Sequence, residues 1–67
     1  MDISSETGTT AGKVYSLLES QESREARLSE VKKQVGGRYV DYALGWLLRE
    51  NKISIESRGK TSIVRLN

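Results

Sequence analysis

The sequence predicts an α+β domain: three helices, a short strand after the first of them, and a C-terminal β-hairpin. Three observations predict it. Apolar residues recur at helical spacing in three stretches up to Leu48. From Ile53 onward the period switches to alternation. Glycines and short polar residues punctuate the stretches. A chain of 67 residues has room for one core and sits near the lower size for folding without staples.

Residues 1–8 are polar, lack periodicity and end in glycine, which predicts a flexible N-terminal tail ahead of a domain spanning 9–67. Thr9 or Thr10 is expected to cap the first helix. Ala11, Val14, Tyr15 and Leu18 then follow i, i+3, i+4, i+7, with Leu17 widening the stripe, and the helix should fade within Ser20–Ser23. Glu25–Leu28 is too short for a helix and reads as a brief strand. Ser29 looks like the cap of a second helix, with Glu30 in its first turn and Leu28, Val31 and Val35 on one face. Gly36-Gly37 ends it, since glycine takes the left-handed backbone of a helix exit without strain.

The third helix is expected over Arg38–Glu50. Val40, Ala43, Leu44, Leu47 and Leu48 form its apolar stripe, and Asn51 stops it. Ile53 and Ile55 on one strand and Val64 and Leu66 on the other define a hairpin. Pairing Ile55 with Val64 and Ile53 with Leu66 puts all four on one face. That register leaves a four-residue loop, Arg58–Thr61, and sends Ile63 and Arg65 to the opposite face. Two short helices joined by a glycine turn and followed by a hairpin make the winged form of the helix-turn-helix, with residues 52–66 as the wing.

Three segments carry a resemblance that covers the chain from Thr9 to Leu66. They are Thr10-Ala11-Gly12-Lys13-Val14, Ala26-Arg27-Leu28-Ser29-Glu30-Val31-Lys32-Lys33 and Val40-Asp41-Tyr42-Ala43-Leu44-Gly45-Trp46-Leu47. The chain resembles a family of small winged helix-turn-helix proteins of bacteria and archaea, long catalogued as a domain of unknown function. Ala43–Leu47 is the most specific part. The resemblance implies the fold, and through the fold a nucleic-acid ligand. Gly36-Gly37-Arg38 departs from the more acidic or polar turn usual there, making the entrance to the third helix more basic.

Composition removes whole classes of function. The chain has no cysteine and no histidine, so disulfides, thiolate metal sites and the commonest general base are absent. No cofactor, metal or small-molecule ligand is expected. No apolar run approaches the roughly 18 residues of a membrane span, and Met1–Ser5 does not read as a signal peptide. A soluble cytoplasmic protein is expected. Gly8–Val14 has too few residues between its glycines for a phosphate-binding loop, and valine stands where the magnesium-binding hydroxyl belongs. The serines have no histidine to activate them, and Glu19, Glu22 and Glu25 sit near a helix exit, in water. The chain is not expected to be an enzyme.

Net charge is +2, but unevenly spread. Residues 1–30 carry three bases against six acids, a net of −3, while residues 31–67 carry eight bases against three acids, a net of +5. That asymmetry points one surface at a polyanion. On the third helix Arg38, Tyr42, Gly45 and Arg49 lie opposite the core stripe, the side a winged helix offers to the DNA major groove. Arginine can fork onto guanine, and Tyr42 can reach a phosphate or a thymine methyl. Gly45 costs about 1 kcal/mol relative to alanine within a helix, and bare backbone there allows close approach. Arg58 and Lys60 flank Gly59 at the wing tip, and Lys32, Lys33 and Lys52 could add phosphate contacts, as could the backbone donors after Ser29.

The expected function is therefore binding of nucleic acid, double-stranded DNA ahead of RNA, in a transcriptional regulator. The alternative is a protein-interaction or homodimerisation module working through Tyr39 and Trp46, aromatics at the border of the core, with Tyr42 and Gly45 of the exposed stripe beside them. Both readings draw on one surface.

Overall fold

The structure is a computed structural model and describes residues 3–67. Its elements are α1 (Ile3–Ser20), β1 (Glu25–Arg27), α2 (Leu28–Val35), α3 (Val40–Arg49), β2 (Ile53–Arg58) and β3 (Thr61–Leu66). The order is the one the sequence predicts. One antiparallel sheet holds all three strands in the order β1-β3-β2, so the short strand joins the hairpin along β3.

α1 is longer than expected. It already runs at Ile3, so residues 3–8 are helical rather than an irregular tail; the remainder of the expected tail, residues 1–2, lies outside the described residues. The two threonines explain the difference. Thr9 Oγ1 donates to Ser5 O at 3.1 Å, and Thr10 Oγ1 donates to Glu6 O at 2.8 Å. Hydroxyls bonded back to the carbonyl four residues earlier belong to helix interiors, not to caps. Glu6 in the first turn complements the helix dipole.

β1 hands over to α2 with no residue between them. Arg27 is the last strand residue and, with φ −65° and ψ 141°, the extended residue from which the helix starts. Its pairing with Ile63 holds the chain in the sheet to that point. The helix therefore opens at Leu28, and Ser29 lies within its first turn instead of capping it; no side chain caps this start. α2 ends at Gly36 and Gly37, whose φ values of 66° and 86° suit glycine and strain other residues.

α3 is shorter at both ends than the expected Arg38–Glu50. Arg38 and Tyr39 form the turn that leads into it, and Glu50 closes it. At the exit Lys52 N donates to Leu47 O at 2.9 Å and Asn51 N to Leu48 O at 3.0 Å. Asn51 takes the left-handed φ of 61° that this Schellman turn demands. Asn67 fastens the corner, donating from Nδ2 to Asn51 O at 2.9 Å and to Ile53 O at 3.3 Å.

The hairpin has the expected register, Ile53 with Leu66 and Ile55 with Val64. Its loop is tighter than expected, because Arg58 pairs with Thr61 and leaves only Gly59 and Lys60 to turn the chain. Gly59 has φ 64° and Lys60 does not share a positive φ, the pattern of a type II′ turn with glycine first.

Every long element feeds one core. Val14 and Leu18 of α1, Val31 of α2, Ile53 of β2 and Val64 of β3 are its largest fully buried side chains, and Ala43 of α3 is sealed beside them. Ala26, Leu28, Val35, Leu17 and Ile55 pack at its margin. Leu48 was expected inside and is instead 42 % exposed. It falls at the edge of the α3 stripe, and Val40, Ala43, Leu44 and Leu47 already fill the inward side.

Candidate nucleic-acid interface

The α3 stripe is set by what lies behind it. Val40, Ala43, Leu44 and Leu47 are buried, so helical geometry turns Tyr42, Gly45 and Arg49 outward; Arg38 lies in the preceding turn, where it borders a depression with Glu6, Thr10 and Lys13 of α1. Arg38, Tyr42, Gly45 and Arg49 are all exposed. Tyr42 is 62 % exposed, and its ring stacks on that of half-buried Tyr39, with centroids 5.9 Å apart and planes inclined by 22°. Gly45 is open as well: a Cβ built there meets nothing within 4 Å. The wing does not cover it.

Beside the stripe, Lys32 Nζ of α2 lies 3.0 Å from Asp41 of α3. Both side chains are exposed, Asp41 the more so, and such a pair contributes roughly 0–1 kcal/mol and exchanges readily. Lys33, Lys52 and Lys60 are exposed, as are Arg38 and Arg49.

The wing differs from expectation at Arg58. Its guanidinium does not project from the tip. Nη2 lies 3.1 Å from Glu25 Oε2 on β1, and Nε donates to Glu56 Oε1 at 3.1 Å. The register explains why: Glu25 opposes Arg65 and Glu56 opposes Ile63, so these carboxylates share the outer sheet face with Arg58. The hydrogen bond with Glu56, then the charges of Glu25 and Glu56, raise the Arg58 pKa above its ordinary value. Arg58 thus ties β2 to β1 across β3, and Lys60 is the cation at the turn.

Trp46, 49 % exposed, leans away from the arginine stripe toward α1. With Tyr15, Gly8, Gly12 and Lys52 it borders an open depression of about 370 Å³. Tyr15, placed in the apolar stripe of α1 by its spacing, is 38 % exposed there; its hydroxyl at the stripe's border is the signal that could have marked it. The aromatic set therefore divides, with Tyr39 and Tyr42 at the stripe and Trp46 beside α1.

Among the described residues no group of three or more His, Cys, Asp or Glu is placed to hold a metal ion, and no helix is long and apolar enough to cross a membrane. The family model described as "Winged helix-turn-helix domain (DUF2582)" matches residues 1–66. The chain is also similar to the uncharacterized protein MJ1608 of Methanocaldococcus jannaschii, at 34 % identity over 97 % of this chain and 96 % of that protein. No solved structure matches the chain.

Proposed function

The chain belongs to the DUF2582 family of winged helix-turn-helix domains, and from that premise we propose that it binds double-stranded DNA as a cytoplasmic transcriptional regulator. α3 enters the major groove, where Arg38 and Arg49 fork onto guanine edges and Tyr42 packs against the backbone or a thymine methyl. Lys60 at the turn, with Lys32, Lys33 and Lys52, neutralises phosphates. Arg58 serves this arrangement by bracing the wing rather than by reaching from its tip. The observation that carries the reading is the stripe itself: Tyr42 and Arg49 exposed on one helix face with bare backbone at Gly45 between them, and exposed Arg38 in the turn that leads in. The basic half of the chain supplies the charge. The domain acts by binding, not catalysis. A single module reads only a few base pairs, so useful specificity calls for a second module on the same duplex.

Titration of duplex DNA at several salt concentrations, followed through Trp46 fluorescence, tests this. With about four to six phosphate contacts the log–log slope is expected to be roughly −4 to −5. Absence of binding at low salt rejects the proposal.

The depression shared by Tyr15 and Trp46 favours a second reading, a protein contact such as a homodimer on that side. Sedimentation would then show a dimer that Trp46→Ala dissociates; a monomer at every concentration removes the homodimer.

A further inference from the structure

Between the start of α2 and the hairpin turn lies another depression, of about 340 Å³ and open to solvent. Arg27, Lys32 and Lys60 line it together with the hydroxyl residues Ser29, Thr61 and Ser62. The three cations come from three different elements, the end of β1, the body of α2 and the turn of the wing. No carboxylate lines it. A depression bordered by basic residues of three elements and by no carboxylate favours an oxyanion. Of the three, Lys32 has a partner, Asp41, outside the depression, in an exposed pair that an incoming anion can displace.

We propose that this depression seats one backbone phosphate of duplex DNA. The proposal rests on the DNA-binding reading and assigns roles to Arg27, Ser29, Thr61 and Ser62, which the α3 stripe and the wing-tip lysine leave unused. Arg27 and Lys60 donate charged hydrogen bonds to the phosphate oxygens and the hydroxyls add neutral ones. The backbone N–H groups at the start of α2, which no side chain caps, face the same anion. An open depression suits a phosphate whose chain continues in both directions, whereas a free metabolite is better held by an enclosed cavity. One phosphate gripped from β1, α2 and the wing together fixes the register in which α3 meets the groove.

The test uses the full chain and the variants Arg27→Gln and Lys60→Gln, with Arg49→Gln as a comparison on α3. Arg27 and Lys60 are exposed, so folding should survive; an unchanged amide NMR spectrum away from the substitution checks it, and Arg27→Lys keeps the charge. Each Gln variant is expected to lower the magnitude of the salt slope for duplex binding, and the two together by about 0.9, the one phosphate they share, with Arg27→Lys close to the parent. If the parent binds duplex and both variants keep its slope, the phosphate seat is overturned while the DNA-binding reading stands. If the parent binds no duplex at low salt, that reading falls and the DNA phosphate seat with it. Inorganic phosphate added at constant ionic strength separates the sources: shifts in the Ser29 and Thr61 amides without duplex binding would mark a free-phosphate site and overturn the proposal.

Discussion

Gly45→Ala separates what α3 requires from what its ligand requires. Gly45 sits within the helix, carries no positive φ, and has nothing within 4 Å of the position a methyl group would take. Alanine there loses less backbone entropy on folding and should stabilise the free domain by roughly 0.5–1 kcal/mol. At about 4–8 °C per kcal/mol for a domain this small, the melting temperature should rise by roughly 2–8 °C. Duplex binding should move the other way. If a base edge or phosphate approaches the bare backbone, the added methyl collides with it, and a steric cost on the order of 1–3 kcal/mol weakens binding roughly 5- to 150-fold. Thermal unfolding by circular dichroism and a fluorescence titration with duplex DNA, on the same samples, give both numbers. A more stable protein with unchanged affinity would refute the close approach at Gly45. A less stable one would refute the open surface itself.

Gly59→Ala should do the opposite in the free protein, because its φ of 64° costs a side chain about 1–2 kcal/mol; a melting temperature at or above the parent's would rule out the tight turn. Leu18→Ala removes a fully buried side chain and should cost about 2–5 kcal/mol in urea unfolding, a large share of what so small a domain possesses. Arg58→Ala should lower the melting temperature by leaving Glu25 without its counter-charge while the salt slope for duplex binding stays as in the parent; a slope shallower by about 0.9 would show that Arg58 meets phosphate after all.

Much of the architecture was legible because burial imposes a period on the chain. Val14 and Leu18 on α1, Val40 through Leu47 on α3, and the alternation of Ile53, Ile55, Val64 and Leu66 each announce an inward face, and the last set even fixes the hairpin register. Periodicity says less about where an element starts. A threonine before a helical stripe can cap it or bond back within it, and Thr9 and Thr10 do the second. Ser29 posed the same choice, decided by the pairing of Arg27 with Ile63. The exposure of Tyr42, Gly45 and Arg49 was legible on α3, where the buried stripe of a single helix decides it. The site was not legible at Arg58, whose partner Glu25 lies far away in the chain and is brought within reach only by the insertion of β3 between β1 and β2. The neighbourhood of Arg27 with Lys60 is hidden in the sequence for the same reason: it exists only once the sheet has formed.

The seamless passage from β1 into α2 makes the beginning of that helix and the strand of the wing one mechanical piece. Arg27 pairs with Ile63 of β3 and is at the same time the residue from which α2 departs, so there is no linker in which one could swivel against the other. Force applied at the ribbon's turn travels along β3 straight to the foot of the helix. A ligand touching both meets a stiff jaw whose opening was set when the protein folded, and little of its binding energy is spent on bringing the two sides into alignment.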